Sequence, residues 1–230
     1  MDAIPALEAL KLLRDGNRRF VSDERRRDAL TSEMRRRELT AGQEPFAIIL
    51  GCSDSRAPAE IVFDQGLGDL FVIRVAGNIV APSQVGSVEF AAERFGTRLV
   101  VVMGHSRCGA IQATLEEMQR PTEDQSRNLR SIVDRIRPTL ADLLKSDTHD
   151  DRDDLMRQAV RANIRASADH LRHGSELLEQ LIARDGLLVV GAEYSLETGI
   201  VDFFDDASTP STPSNPSEGE DVENIGRAAP

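Results

Sequence analysis

Four short runs of uninterrupted apolar residues constrain this chain more than any other feature. They are Phe46-Ala47-Ile48-Ile49-Leu50, Leu70-Phe71-Val72-Ile73, Leu99-Val100-Val101-Val102-Met103 and Leu187-Leu188-Val189-Val190-Gly191. A strand with one wet face alternates apolar and polar residues. Runs like these suit strands buried on both faces, as in a parallel sheet covered by helices. Between the second and third runs, Val85, Val88, Phe90, Ala91 and Ala92 recur at helix-like spacing. Strand, helix, strand in that order is the α/β crossover pattern. Helical stretches are expected near 109–119, 127–145 and 152–184, with Gly186 ending the last. Residues 199–204 are expected to pair beside the fourth strand. The fold class is therefore α/β, with an open, mostly parallel sheet of four to five strands flanked by helices.

Both cysteines of the chain lie just after apolar runs. Cys52 heads Cys52-Ser53-Asp54-Ser55-Arg56, and Cys108 closes His105-Ser106-Arg107-Cys108. In open α/β sheets, ligands bind outside the carboxyl ends of the strands. Cys52 and His105 each stand two residues beyond a run, and a turn opening a helix would bring Cys108 back to meet them. Two thiolates and an imidazole favour zinc on softness grounds. Three protein ligands leave a tetrahedral zinc with one open position, the arrangement of a catalytic site. Asp54 and Arg56 fall beside that opening. A bidentate Arg56 would keep Asp54 ionised and oriented. Left unpaired, Asp54 is close enough to become a fourth ligand and shut the site. The plainer reading makes Asp54 a helix cap and Arg56 a surface ion pair. A Cys52–Cys108 disulfide is the alternative to a metal, but it leaves His105 and Asp54 without a role.

Other motifs are weaker. Gly66-Leu67-Gly68-Asp69 has too few glycines for a dinucleotide fingerprint. Gly51 and Gly104 are expected to permit tight turns from strand to loop. His149, His170 and His173 lie in charged helical regions and read as solvated. Ser53, Ser55 and Ser106 lack a second histidine to activate them, which argues against a serine hydrolase.

The 230 residues suffice for one full core with appendages. The net charge is -11, with 28 Lys+Arg against 39 Asp+Glu, which argues against a nucleic-acid partner. Arg25-Arg26-Arg27 and Arg35-Arg36-Arg37 are interleaved with acids and read as a solvated or subunit-contacting helix face. No basic segment followed by an apolar one opens the chain, and no uncharged run reaches membrane-spanning length. No membrane partner is expected, and free thiols suit a reducing cytoplasm. Residues 1–40 are expected to form an N-terminal helical arm. Its first helix, over 5–20, carries Leu7, Leu10, Leu13 and Phe20 along one side, and its second spans 23–39. Residues 41–206 are expected to form a zinc-binding α/β catalytic domain. The Ser/Pro-rich, acidic stretch 207–230 is too poor in apolar residues to repay ordering and reads as a disordered tail.

The paired segments at Cys52–Arg56 and His105–Gly109 resemble the β-class carbonic anhydrases. The likeness runs from about Ala41 to Ala110, with Gly77-Asn78 and Ser87-Val88-Glu89-Phe90 between the two motifs. It continues more loosely to Tyr194 and Thr198-Gly199. The resemblance implies Zn2+ on Cys52, His105 and Cys108, and a catalytic dyad at Asp54 and Arg56. It implies reversible hydration of carbon dioxide to bicarbonate and a proton by zinc-bound hydroxide, which Asp54 orients. Gln43, nine residues before Cys52, and the Gly109 N–H match groups that contact substrate or product. Phe71, Ala76 and Phe90 match the lining of a small apolar pocket. The family builds its site at a dimer interface, which implies a homo-oligomer of even number, with Gln43 or the aromatic wall supplied by the partner. Arg74 and Tyr194 match two of three residues of a regulatory bicarbonate site in some members. The third is a Trp where this chain has Ile49, so the site is incomplete. Arg107 departs from the small or aromatic residue expected between the zinc His and Cys. It would pair with an acidic group at the interface or alter anion access. Two alternatives remain: a COS or CS2 hydrolase on the same scaffold, and a non-catalytic, zinc-stabilised sensor of bicarbonate or redox state. An intact dyad speaks against the sensor, because structure alone needs neither residue.

Overall fold

The structure, a computed structural model, describes residues 4–24, 32–120, 126–145 and 151–205. The expected tail, His149 and the whole of the first arginine cluster, Arg25 to Arg27, lie outside the described residues. Five strands form one sheet: β1 (Ala47–Gly51), β2 (Leu70–Arg74), β3 (Leu99–His105), β4 (Leu188–Tyr194) and β5 (Val201–Asp205). Their order is β2-β1-β3-β4-β5. The first three pairings are parallel, and β5 runs antiparallel to β4.

The period-2 geometry of a strand explains why the runs carry no polar residue. Ile48, Leu50, Val100 and Val102 point into one core layer, and Ala47, Ile49, Leu99, Val101 and Met103 into the other. The first layer is closed by α4 (Pro82–Arg94), α5 (Gly109–Gln119), α6 (Arg127–Lys145), α7 (Arg152–His173) and α8 (Glu176–Arg184). The second is closed by α1 (Ala6–Val21) and the single turn α3 (Ala59–Val62). Between α1 and β1, α2 covers Glu33–Glu38 only. Residues 25–31 of the helix expected over 23–39 are not described, and Asp23 has a left-handed φ of 59°.

Three local readings are corrected. The stretch 152–184 is two helices, not one. Gly174 ends α7, and the Ser175 hydroxyl starts α8 by accepting the Leu178 N–H at 3.2 Å. The buried stripe of α1 is Ala6, Ala9, Leu10, Leu13, Gly16 and Asn17, while Leu7 is 68% exposed. Small residues lead that stripe because the helix lies close to backbone: a Cβ on Gly16 would sit 1.8 Å from the Phe63 carbonyl oxygen. Gly51 and Gly104 are strand residues rather than turn residues. At Gly104 a Cβ would fall 2.6 Å from the buried Ile164 Cδ1, so close packing by α7 demands the glycine.

Asn17 ties α1 to the sheet. Its Nδ2 donates to the Val62 and Gly199 carbonyls at 3.1 and 2.9 Å, and its Oδ1 accepts the Val201 N–H at 2.9 Å. The residue is 5% exposed, so truncation leaves buried backbone groups without partners. We predict that Asn17→Ala lowers unfolding stability by about 1–3 kcal/mol, read from the urea midpoint. An unchanged midpoint would mean that α1 does not depend on this side chain.

Candidate active site

β1 and β3 are neighbours in the sheet, and their carboxyl ends deliver the three ligand residues to one place. Cys52 follows the last residue of β1. His105 is the last residue of β3, and Cys108 is the N-cap of α5. The metal-binding atoms of Cys52, His105 and Cys108 all lie within 4.8 Å of one another, and all three residues are buried. The two sulfurs are 4.0 Å apart. A disulfide needs about 2.0 Å, whereas two sulfurs about 2.3 Å from a shared tetrahedral zinc stand nearly this far apart.

The imidazole is already committed to one tautomer. His105 Nδ1 lies 2.9 Å from the Ser106 carbonyl oxygen, which can only accept, so Nδ1 carries the proton. Nε2 keeps its lone pair. His105 Nε2 is buried without a hydrogen-bond partner, an orphan that a metal ion would satisfy. The donor set therefore fits zinc.

The thiols point the same way. The Cys108 hydrogen bond, opposed by burial, draws Cys52 down to about 4, with the Asp54 and Gly77 N–H groups adding to it. The same contact, with burial, pushes Cys108 up. Two thiolates this close are mutually unfavourable, and a cation between them removes the conflict.

Asp54 is held by Arg56. The guanidinium Nε and Nη2 donate to Oδ1 and Oδ2 at 2.9 and 2.8 Å, and the Arg56 N–H adds a third bond at 2.9 Å. These bonds, led by the side-chain pair, hold the Asp54 carboxyl well below the usual carboxylate range against the opposing effect of burial. Asp54 caps the tight 54–57 turn and not a helix, since α3 starts after Pro58. Its Oδ2 stays 3.7 Å from His105 Nε2, beyond hydrogen-bond range and facing the space where the ligand atoms converge.

Three supports were not assigned these tasks from sequence. The Gly77 N–H donates to Cys52 Sγ at 3.4 Å. Gly77 has φ 70°, and a Cβ there would fall 2.9 Å from Ile136, so only glycine fits. Arg74 donates to the backbone carbonyls of Cys52 and Asp54. The expected partner of Arg74 in a bicarbonate site, Tyr194, instead packs at 6% exposure against Phe20, in the layer that also buries Ile49. Arg107 pairs with Glu197 at 2.9 Å in its own chain. A Gly-Asn pair is a turn signal in sequence, but the long-range partners of Arg74 and Arg107 leave no local trace.

The remaining predicted site residues are dispersed. Ala76 opens the turn that carries Gly77, and Gly109 opens α5. Phe71, Phe90 and Phe95 cluster with ring centroids 5.7–6.2 Å apart, and Phe90 is 53% exposed. Gln43 is exposed before the amino end of β1, beside Phe95 and Thr97. The length of β1, about 15 Å, therefore separates it from Cys52.

A family model described as carbonic anhydrase matches residues 47–201. Carbonic anhydrase 2 of Mycobacterium tuberculosis is 38% identical over 193 residues, covering 83% of this chain and 89% of that protein. A carbonic anhydrase of Mycolicibacterium smegmatis is 38% identical over 194 residues, covering 84% and 91%. This chain belongs to the β-class carbonic anhydrases. Among solved structures, the β-carbonic anhydrase CcaA superimposes with a TM-score of 0.66 at 27% identity, covering 88% of this chain and 91% of that one. The β-carbonic anhydrase CafA of Aspergillus fumigatus gives 0.67 at 25% identity, covering 75% and 81%. As a carbonic anhydrase the chain is a zinc-dependent enzyme of reversible carbon dioxide hydration, and the Cys52, His105 and Cys108 cluster matches the zinc-binding motif of that family.

Metal analysis tests that ligand set. Cys108→Ala removes a thiolate and leaves two protein ligands, so purified variant protein is expected to hold less than about a tenth of the zinc of the parent. One zinc per chain in the variant would place the ion elsewhere.

Proposed function

We propose that Asp54, fixed by Arg56, orients and accepts a hydrogen bond from the water that hydrates carbon dioxide. Zinc held by Cys52, His105 and Cys108 would supply the Lewis acidity that lowers the pKa of water. The observation that carries the reading is the three-bond grip of Arg56 on Asp54. It keeps the carboxylate charged and engaged, which withholds it from the role of a fourth ligand. An ionised, oriented acceptor aligns a lone pair of the attacking oxygen toward the substrate carbon. Carbon dioxide is small and apolar, so a narrow apolar pocket suffices for it.

The working unit on this reading is a homo-oligomer. Gln43 stands at the far end of β1 from Cys52 in its own chain, and Phe90 is an exposed aromatic beside Phe71 and Phe95. β2 is an open edge of the sheet. A second copy meeting this side would cover the aromatic cluster and carry its own Gln43 and Phe90 toward the first copy's substrate. Gly109 is the first residue of α5, with open space where a Cβ would stand, and its N–H suits a bicarbonate oxygen. None of the described helices is long and apolar enough to cross a membrane. Ligand thiols this close call for a reducing compartment, for which the cytoplasm is our assignment.

Stopped-flow hydration of carbon dioxide with a pH indicator tests the proposal. Turnover is expected to scale with zinc content, and Asp54→Asn to lower it by about a hundredfold while zinc stays bound. Full activity in the variant would remove Asp54 from the mechanism. Faster turnover of COS or CS2 than of carbon dioxide by the parent enzyme would replace the substrate.

A further inference from the structure

Two residues must reverse the chain from β3 into α5 and still bring Cys108 back to His105. Ser106 and Arg107 do so with Arg107 at φ 54°, a left-handed conformation that side chains other than glycine, asparagine and aspartate rarely hold. The support for this bend comes from the 195–199 turn. Glu197 Oε1 pairs with Arg107 Nε at 2.9 Å, and its Oε2 accepts the Ser106 hydroxyl at 2.8 Å. The Ser106 oxygen in turn accepts the Leu196 N–H at 3.0 Å. The Ser195 hydroxyl also reaches Glu197 Oε2, at 3.3 Å, and Ser195 Oγ accepts the Thr198 N–H at 3.1 Å.

We propose that Glu197 is a positioning residue for the metal. One carboxylate grips both residues between two zinc ligands and holds Arg107 in its bend, so that His105 and Cys108 face the same ion. The Arg107 and Glu197 side chains are 75% and 46% exposed, so the pair adds little to global stability. Its leverage is local. The Ser106 carbonyl fixes the His105 ring, and the Ser106 hydroxyl is the group Glu197 holds. A shift of this loop turns one ligand directly and displaces the other. The inference rests on Cys52, His105 and Cys108 being the zinc site.

The test is the rate at which zinc-loaded protein surrenders its metal to a chromophoric chelator. Glu197→Ala is expected to release zinc about tenfold faster than the parent, as loss of an outer-shell partner commonly does, with an unchanged thermal midpoint. Glu197→Gln, equal in size and uncharged, is expected to accelerate release as well, which tests the pair even if the alanine variant folds poorly. Adding Arg107→Gly to Glu197→Ala is expected to return the rate to within about threefold of the parent, because glycine takes the left-handed bend without help. Release at the parental rate from both single variants overturns the proposal. So does fast release that Arg107→Gly leaves untouched, since Glu197 would then not act through the bend. Zinc content of the parent at the start is the control, and a parent without zinc overturns the ligand assignment instead.

Discussion

Two sulfurs and an imidazole nitrogen are held within 4.8 Å of one another, buried, at the carboxyl edge of a parallel sheet. The arrangement of the rest of the molecule follows from that constraint. A sulfur pair 4.0 Å apart is too wide for a covalent bond and too close for two bare thiolates. Such a cluster needs a cation, and it needs a frame stiff enough to keep its members from drifting apart. The register of β1 beside β3 supplies the frame: Gly51 pairs with Met103, so Cys52, just beyond β1, and His105, at the end of β3, emerge together. Both strands are sealed in apolar layers on either face, which leaves the carboxyl edge as the place where polar chemistry is exposed.

Each ligand-bearing loop is then tied down by a group from a neighbouring strand end. Arg74, closing β2, holds the Cys52 and Asp54 carbonyls. Gly77 brings its N–H to the Cys52 sulfur, and its own carbonyl is anchored by Asn163 of α7 at 2.8 Å. Glu197, just past β4, holds Ser106 and Arg107. The dyad follows the same logic one step nearer the chemistry. Asp54 would be a competent fourth ligand, and Arg56 is what gives it something better to bind. A cofactor with one open position thus depends on charged residues that never touch it.

Much of this was legible in the sequence. The uninterrupted runs marked both-face burial, and the residues just after them marked the binding edge, so the sheet, the ligands and the dyad could be read together. The misreadings share a cause. Gly51 and Gly104 were expected to turn the chain because glycine permits a turn, but the reason for Gly104 is Ile164, sixty residues later in the chain, packing where a Cβ would stand. Leu7 fits an apolar stripe by type, yet the helix turns its small residues inward because Phe63 backbone lies against Gly16. The break at Gly174 and Ser175 was visible as residue types but masked by continuous helical composition on both sides. The partners of Arg74, Arg107 and Asn17 depend on tertiary contacts, and no local pattern announces them.

A crystal structure of the zinc-loaded enzyme grown in its assay buffer tests the ligand set and the dyad together. One zinc bound by Cys52, His105 and Cys108, a solvent molecule in the fourth position, and Asp54 retained by Arg56 are expected. Asp54 on the metal with Arg56 released, or zinc on any other set of residues, would contradict this arrangement.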